Sequence, residues 1–556
     1  MIHGCGSLIG PEWMNRRHVL RMQRVATETG NTGSSGETVR RGGINGRGGG
    51  RFVLVNLVGH FVYFGANALI SFWYTPFVIR HLGVAPYGVV ALASSVAQYV
   101  SVLTSGVSAS VGRFLTIELV RGDQRTASRT FNSSMALALG MVIVMLPIVG
   151  AISYAAPTWF DAPPGTEAAT RYLFLAATLS ILAGGVGSVF AASAFAHNRL
   201  YLQNAVSSLR LLVRTSVVVA LFAAFRPHLW HVAVGLVFAE AVAVGVQWRI
   251  WRWLTPTLRL RPWEFDRTRL RHLGDMTWWV VVNQIGSVLF LNIDLLVVNA
   301  LYGSRVTGRY AAVLQFPTLL RALATVISST VYPVVFARYA RHDMEGVAAT
   351  SRCAVRLMGL AMALPVGFLC GMSRKLLELW LGPSFGDLYP LMLVLVGHLA
   401  INLSIVPLFS VTQAYNRVRA VGIVTLFTGA ANVLLAAFLA GYCSLGPLGV
   451  AVAGGIVLTA KNTLFTALYA ARIQRLPAAV YLHDVAIACV GTAAVAMLSW
   501  LGSVVVSDQS WLRMLITLAL VSAAYAPLAY AFLLGRQDRA VVTRLVHEGL
   551  MWRQAP

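Results

Sequence analysis

Six charged side chains lie within long apolar stretches of the sequence, where an isolated charge is costly. A charge at the centre of a membrane helix costs about 2.5–3.5 kcal/mol on insertion scales, so such residues normally face a polar cavity or a partner. Four of the six are cations, and an excess of cations in a cavity favours an anionic ligand. The six residues are Arg210, Arg214, Glu240, Asp294, Arg321 and Lys461.

Arg210 and Arg214 are four residues apart, so they lie on the same face of one predicted helix. Like charges at this spacing repel each other, and the sequence therefore predicts an anion beside them. Glu240 in the next helix is the candidate partner within the protein. A pyrophosphate group on a bound ligand is the other candidate, and the two are compatible.

Arg321 and Asp294 are candidates for a second pair, because a long arginine side chain can cover much of the difference in their depth. Lys461 is followed by Asn462 and Thr463, and this polar sequence favours a position at an internal cleft. The alternative for Lys461 is that its flexible side chain reaches toward the membrane surface.

The overall composition is that of a membrane protein. Of 556 residues, 57% are apolar and only 12% are charged, with a mean hydropathy of +0.69, whereas soluble domains have about 45–50% apolar and about 25% charged residues. The net charge is +24, but the cations form short bands between apolar runs, which argues against nucleic acid as a partner. The five cysteines are scattered without a Cys-x-x-Cys motif, so neither a disulfide framework nor a metal site is predicted.

Fourteen apolar runs are long enough to cross a bilayer, which requires about 20 residues each, and we number them span 1 to span 14. An even number of crossings places both termini on one side. Tails and loops on that side contain 32 cations and those on the opposite side contain eight, so the positive-inside rule predicts cytoplasmic termini. The runs are 53–79, 87–111, 131–156, 172–194, 205–225, 229–250, 276–301, 310–336, 353–372, 388–413, 420–441, 446–470, 480–506 and 511–534.

The first and second sets of six spans resemble each other in their turns. A Gly-x4-Gly turn that starts at Gly83 recurs 220 residues later, and Asp123 and Asp343 share that offset. An Ala-x-Asn-Arg motif at 196–199 recurs at 414–417, an offset of 218. Each half contains an even number of spans, so the sequence predicts two parallel repeats related by an axis along the membrane normal.

Polar side chains follow one face of span 1 and the corresponding face of span 7. They lie within an arc of about 60° in span 1 and about 40° in span 7. The repeat offset aligns the two stripes, which are predicted to face each other across a cleft between the repeats. Hydrogen bonding between helices without ligand contact is the alternative. The span 1 stripe comprises Asn56, His60, Tyr63, Asn67 and Tyr74, and the span 7 stripe comprises Asn283, Ser287 and Asp294.

The predicted organisation is an all-α integral membrane protein with two six-helix repeats and a C-terminal helix pair. A Gly- and Arg-rich sequence without an apolar run precedes span 1 and is typical of a disordered basic tail. The predicted segments are a tail at 1–51, a first bundle at 52–254, a basic cytoplasmic linker at 255–271, a second bundle at 272–473, spans 13 and 14 at 474–535, and a cytoplasmic tail at 536–556.

Four motifs are similar to those of a known group of transporters. They are Leu82-Gly83-x-x-x-Tyr87-Gly88 after span 1, Asp294-Leu295-Leu296 in span 7, Gly308-Arg309-Tyr310 at the start of span 8, and Gly446-Pro447-Leu448-Gly449-Val450-Ala451 at the start of span 12. With the six-plus-six-plus-two arrangement, they resemble polysaccharide exporters of the MATE-like (MOP) superfamily, nearest to the Wzx-type flippases. The resemblance covers about residues 52–473 and implies a central cleft between the bundles.

This resemblance implies a flippase of the bacterial inner membrane that moves an isoprenoid-pyrophosphate-linked oligosaccharide by alternating access. Its product would be a surface polysaccharide such as O-antigen of lipopolysaccharide, exopolysaccharide or capsule. The expected partners are the lipid-linked oligosaccharide, membrane lipids, a polysaccharide polymerase and glycosyltransferases. No cofactor is expected, and coupling to a proton or sodium gradient stays open. The candidate substrate-binding residues are the two polar stripes together with Arg210, Arg214, Arg321 and Lys461.

Two other functions fit the same fold. A drug or cation antiporter of the same superfamily is expected to have acidic residues in its cleft, where only Asp294 and Glu240 qualify. A peptidoglycan-precursor flippase is a variant of the favoured function. An enzyme is not expected, because the sequence contains no catalytic triad, phosphate loop or paired catalytic carboxylates, and its longest outer loop, about residues 157–171, is short.

Overall fold

The computed structural model describes residues 48–261, 265–505, 510–535 and 539 of the chain. This part of the chain is 89% helical and has no strand, which confirms the all-α prediction. The chain divides into two units, of which the first ends at Arg51. Most of the predicted tails at 1–51 and 536–556 lies outside the described residues.

Six long helices form the first repeat, and each follows one predicted apolar run. They are 25 to 37 residues long, so at 1.5 Å per residue each is long enough to cross the roughly 30 Å hydrocarbon core. We call the membrane side on which span 1 begins the near side, and the opposite side the far side. The helices of spans 1 to 6 are Gly48–Leu82, Val84–Val120, Gln124–Trp159, Glu167–Ala196, Leu200–Ala224 and Leu229–Leu254.

Spans 7 and 8 form one helix, Arg267–Ser329, that is broken by a kink at Gly303 and followed by Val331–Ala340. Gly303 has φ 76° and ψ 178°, a conformation that glycine adopts easily because it lacks a Cβ. Thirteen helices in the described chain are long and apolar enough to cross a membrane, and Leu291–Ala340 counts as one of them. The helix before the kink begins at Arg267, so the chain before Gly303 and the chain from Ser304 to Ala340 are each about 55 Å long. Each part can cross the membrane once, which reconciles this number with the fourteen predicted spans.

The second half of the chain is more irregular than the first. A short helix and a 3₁₀ turn, Ser373–Leu381 and Pro383–Leu388, follow span 9, and spans 11, 12 and 14 contain π-helical segments. Such segments and helix breaks often occur at functional positions. Two spans are single helices, namely span 9 at Met344–Gly371 and span 13 at Val480–Val505. Spans 10 and 11 are interrupted: span 10 comprises Tyr389–Gly397, Leu399–Ser404 and Leu408–Ala414, and span 11 comprises Val418–Ala437 and Phe438–Tyr442. Span 12 comprises Pro447–Ala460, Lys461–Ala467 and Leu468–Ile473, and span 14 comprises Trp511–Leu528 and Ala529–Leu533.

The backbone confirms the internal repeat residue by residue. Gly83 has φ 95°, like Gly303 at the offset of 220, and Asn198 at φ 55° matches its counterpart Asn416 at φ 53°. The Asp123 carboxylate accepts a hydrogen bond from Thr126 N at 3.0 Å and caps span 3, as Asp343 does for span 9 through Gly346 N at 2.8 Å. Equivalent turns and helix caps therefore occupy equivalent places in the two halves. These six capping and turn positions are Gly83, Gly303, Asn198, Asn416, Asp123 and Asp343.

The two repeats cross at a pair of equivalent glycines. A Cβ placed on Gly88 would lie 2.8 Å from Gly308 N, and a Cβ placed on Gly308 would lie 3.0 Å from the carbonyl carbon of Val84. Gly88 also faces the carbonyl oxygen of Ser304, which is the repeat counterpart of Val84. Each glycine therefore contacts the counterpart of the residue that the other one contacts: Gly88 meets Ser304, and Gly308 meets Val84. This reciprocal arrangement is that of a two-fold interface, as parallel repeats require.

We expect Gly88→Ala and Gly308→Ala to destabilise the protein by similar amounts. Each added methyl group would overlap the backbone of the other repeat, and overpacking costs about 1–3 kcal/mol. Melting temperature in detergent and the amount of inserted protein measure the effect. Gly140→Ala is the matched control, because its added methyl group meets open space and alanine favours the helix. Normal stability of both crossing variants would contradict the close approach of the repeats.

The C-terminal helix pair is joined to the second repeat by a buried ion pair. Asp484, near the start of span 13, is fully buried, and Arg356 of span 9 donates to it from Nε at 3.1 Å. Arg352, one turn before Arg356, lies 3.5 Å from the other carboxylate oxygen. Two arginines therefore compensate the charge of this carboxylate. Sequence analysis did not select Asp484, because charges near helix ends usually face water.

Candidate functional site

A cavity of about 260 Å³ lies between the two repeats. Spans 1, 2 and 5 of the first repeat and spans 7 and 8 of the second form its walls. Among the described residues that line it, Arg214 is the one charged side chain, and no carboxylate is present. Its polar lining includes Tyr74, Thr75, Ser94, Ser95, Gln98, Arg214, Asn292, Gln315 and Thr318.

The cavity lining is itself duplicated. Ser95 and Gln98 of span 2 correspond to Gln315 and Thr318 of span 8 at the offset of 220, and all four line the cavity. The cavity therefore lies on the pseudo-two-fold axis of the repeats. Sequence analysis missed these polar residues because neutral side chains are inexpensive within a membrane helix. Alignment of spans 2 and 8 at the repeat offset is the signal that identifies them.

Arg214 is available to a ligand in the cavity. Its guanidinium carbon lies 5.7 Å from the centre of the Tyr74 ring, a distance at which cation–π attraction operates. The guanidinium group therefore carries a positive charge at the cavity wall, and no carboxylate of the described residues pairs with it.

Arg210 has a partner within the protein, as the sequence predicted. Its Nε lies 2.8 Å from Glu240 Oε2, and a terminal nitrogen donates to Oε1 at 3.1 Å. A Cβ on Gly184 of span 4 would lie 2.9 Å from Glu240 Oε1, so this glycine leaves room for the carboxylate. Glu240 therefore neutralises Arg210, and the uncompensated charge of the arginine pair belongs to Arg214.

We expect Glu240→Gln to destabilise the protein and Arg210→Gln with Glu240→Gln to restore stability. The single change leaves Arg210 without its counter-charge, and a lost hydrogen bond to a charged group costs about 1.5–3 kcal/mol. Melting temperature and membrane abundance measure both variants. If the double variant is as unstable as Glu240→Gln alone, the loss of stability does not come from an unpaired Arg210, and the ion-pair explanation is wrong.

The span 1 stripe contributes one residue to this cavity, Tyr74. Asn56 instead binds the turn before span 5, since its amide donates to the Asn198 carbonyl at 3.1 Å and accepts from Tyr201 N at 3.0 Å. This placement favours the alternative of interhelical hydrogen bonding for Asn56. The remaining stripe members, His60, Tyr63 and Asn67, are partly buried and do not line this cavity.

The span 7 stripe does not face Tyr74 across the cavity, which differs from the predicted arrangement. Asp294 is buried and accepts a hydrogen bond from Tyr310 at 3.1 Å, and Arg321 attracts it electrostatically without lining the cavity. Asn292 lines the cavity instead. Residues two apart on a helix point in nearly opposite directions, so Asn292 and Asp294 face different neighbours. Ser287 is partly buried, and the side chain of Asn283 lies outside the described residues.

Lys461 also lies away from this cavity, within the second repeat. It begins the π-helical segment of span 12, and its Nζ lies 5.8 Å from the centre of the Phe409 ring of span 10. Its neighbour Asn462 donates to Asn402 at 2.8 Å. These contacts place Lys461 beside a polar network that joins spans 10 and 12.

Contacts between the repeats close the space on both sides of the cavity. Toward the far side, spans 2 and 8 cross at Gly88 and Gly308. Level with the cavity, the Phe72 and Trp380 rings stack at 4.9 Å, and Trp380 Nε1 donates to the Phe72 carbonyl at 2.6 Å. Toward the near side, the Ser110 and Thr277 hydroxyls lie 3.0 Å apart. The cavity is therefore enclosed between two sets of contacts that join the same two repeats.

The duplicated helical bundle with a polar cavity between its repeats is the architecture of a multi-pass membrane protein. The profile of the family described as "Polysaccharide biosynthesis protein" matches residues 53–339. Over 495 residues, which cover 88% of this chain and 97% of the relative, the sequence is 32% identical to "Uncharacterized membrane protein EpsK" of Bacillus subtilis (strain 168). The chain therefore belongs to this polysaccharide biosynthesis family.

Solved structures share the fold at low sequence identity. The inward closed conformation of the lipid II flippase MurJ matches 86% of this chain and 98% of its own, with a TM-score of 0.61 and 11% identity. An inward-facing multidrug resistance MATE family transporter of the MOP superfamily matches 73% of this chain and 96% of its own, with a TM-score of 0.58 and 14% identity. These likenesses confirm the predicted architecture.

Proposed function

We propose that this protein is a transporter that flips an isoprenoid-pyrophosphate-linked oligosaccharide across the bacterial inner membrane by alternating access. The observation that carries the proposal is the cavity chemistry. Arg214 supplies the one charge among the described lining residues, and it favours the diphosphate of the cargo over a cation. The surrounding hydroxyl and amide groups suit sugar hydroxyls, while the isoprenoid tail stays in the lipid.

The cavity must enlarge to accept this cargo. Its volume of about 260 Å³ is below the roughly 300–1,000 Å³ of small-molecule sites, and an oligosaccharide requires more. Separation of spans 2 and 8 at Gly88 and Gly308 would open the far side, and separation of Ser110 from Thr277 would open the near side. Opening one set of contacts while the other stays closed provides alternating access.

A cation antiporter receives less support from the same cavity. Such a transporter requires acidic groups where its cargo binds, whereas the described lining contains none. Glu240 is occupied by Arg210, and Asp294 accepts from Tyr310. The two acidic candidates identified in the sequence therefore lie outside the cavity wall.

Deletion of the gene tests the proposed function. The lipid-linked oligosaccharide should accumulate in the inner leaflet while drug sensitivity stays unchanged, and a plasmid copy should reverse the accumulation. Increased drug sensitivity without accumulation would indicate an antiporter. Accumulation of the peptidoglycan precursor would indicate the other flippase function and would overturn the oligosaccharide assignment.

In the proposed orientation, the near side and both termini face the cytoplasm. Arg305 and Ala340 are exposed and lie at opposite ends of span 8, so Arg305→Cys should react with an impermeant thiol reagent from outside and Ala340→Cys only after lysis. Arg305 serves better than Ser304, which is buried at the crossing of the repeats. Measurements require a background without the native cysteines. Labelling of both positions from one side would contradict the span assignment.

The proposal includes an energy source and neighbouring enzymes. A proton or sodium gradient drives the cycle, and the protein needs no cofactor. Glycosyltransferases supply the lipid-linked oligosaccharide on the cytoplasmic face, and a polysaccharide polymerase consumes it on the other face.

A further inference from the structure

A second concave site, separate from the cavity, lies on the first repeat between spans 4 and 6. It is a groove of about 800 Å³ that is lined almost entirely by apolar side chains. Both helices cross the membrane, so the groove is exposed to the bilayer. Five alanines form its surface over most of its length, namely Ala168, Ala169, Ala176, Ala233 and Ala241.

Glycines explain why the groove ends near the middle of the membrane. A Cβ on Gly187 of span 4 would lie 3.1 Å from Val244 Cγ2 of span 6, and Gly184 packs against Glu240 in the same way. These contacts bring the two helices together toward the near side. The groove extends from Leu179 toward the far side. There the two helices do not meet at glycines, and the small alanine side chains leave the space between them open.

The dimensions of the groove suit a hydrocarbon chain that lies along the two helices. The lining extends over residues 165–179 of span 4 and 228–241 of span 6, which corresponds to roughly 20 Å along the helix axes. A groove of about 800 Å³ and this length has the elongated form of a hydrocarbon chain. A hydrocarbon chain is narrow enough to fit.

The far-side end of the groove has the chemistry of a lipid headgroup region. Tyr172 and Trp230 line it and are exposed, and these residue types are typical of the membrane interface. Arg171 precedes Tyr172 at the same end of span 4 but does not itself line the groove, and its guanidinium carbon lies 4.5 Å from the centre of the Tyr154 ring of span 3. His228 also lines this end, so nitrogen donors for a phosphate stand next to an apolar channel.

We propose that this groove binds a phospholipid, with one acyl chain between spans 4 and 6 and the phosphate beside Arg171 and His228. An empty apolar groove of this size would forfeit dispersion contacts along both helices. The acyl chain restores them and supports the bundle at the level of the Arg210–Glu240 pair. This site is separate from the cargo cavity, and the inference does not depend on the identity of the cargo.

Photocrosslinking in vesicles tests the proposal. The full chain is reconstituted into vesicles of phosphatidylethanolamine and phosphatidylglycerol that contain a phospholipid with a photoreactive acyl chain. Crosslinks should concentrate in peptides that cover 165–179 and 228–241. Ala168→Phe with Ala241→Phe fills the groove at two exposed positions. If the new side chains keep even two methylene groups of the acyl chain out of the groove, at about 0.8 kcal/mol each, crosslinking there should fall by about tenfold.

The matched control places the same two substitutions on a different lipid-facing surface. Ala431 and Ala437 of span 11 are exposed, so Ala431→Phe with Ala437→Phe should leave crosslinking in the groove unchanged. Equal crosslinking in both double variants would overturn the proposal. Crosslinks spread evenly over all spans would overturn it as well, as would displacement of the phospholipid probe by an isoprenoid diphosphate. Melting temperatures of the two variants show whether each protein is folded.

Discussion

Replacing Arg214 by glutamate is expected to reduce oligosaccharide export at least about tenfold while the protein remains in the membrane. The change removes the positive charge of the cavity and introduces a negative one, which repels a diphosphate in a medium of low effective dielectric constant. Because Arg214 forms no ion pair in the described structure, its loss leaves no protein carboxylate without a partner. Export in whole cells or vesicles, normalised to membrane abundance, measures the effect.

Two further variants separate the charge effect from a general loss of function. Arg214→Gln should show intermediate export, since it removes the attraction without adding repulsion. Arg80→Gln is the matched control, because Arg80 is an exposed arginine at the end of span 1 and does not line the cavity. Normal export by Arg214→Glu at normal abundance would remove Arg214 from the site and would weaken the case for an anionic cargo.

Replacing Asp484 by alanine is expected to destabilise the protein more than Glu240→Gln or either substitution at the glycine crossing. The fully buried carboxylate binds Arg356 and lies close to Arg352. Removal of one partner from a buried ion pair leaves an uncompensated charge and costs about 3–5 kcal/mol. The melting temperature should fall strongly, and spans 13 and 14 should become accessible to protease before the two repeats do.

Paired substitutions test this explanation. Arg356→Met with Asp484→Leu replaces the ion pair by apolar groups of similar size and should recover much of the lost stability. Asp387→Ala is the matched control, since Asp387 pairs with Arg309 at an exposed site, where an ion pair contributes about 0–1 kcal/mol. Equal destabilisation by Asp484→Ala and Asp387→Ala would show that burial does not determine the contribution of the pair.

Several local features of this protein followed from the sequence because they depend on short stretches of chain. The length of each apolar run predicts a helix that crosses the bilayer, as the helices of spans 1 to 6 show. The glycines at 83 and 303 predict turns, because positive φ angles favour a residue without a Cβ. Asp123 and Asp343 act as equivalent helix caps, so the repeat register derived from them is confirmed by the structure.

Only the tertiary structure decided which polar residues meet. Helical periodicity predicts the angle at which a side chain leaves its own helix, but the rotation of that helix against its neighbours determines what the side chain contacts. Arg210 therefore reaches Glu240 while Arg214, one turn later, lines the cavity. Tyr74 and Asp294 occupy equivalent repeat positions, yet Tyr74 faces the cavity and Asp294 faces Tyr310, because each repeat packs its own set of side chains around that position.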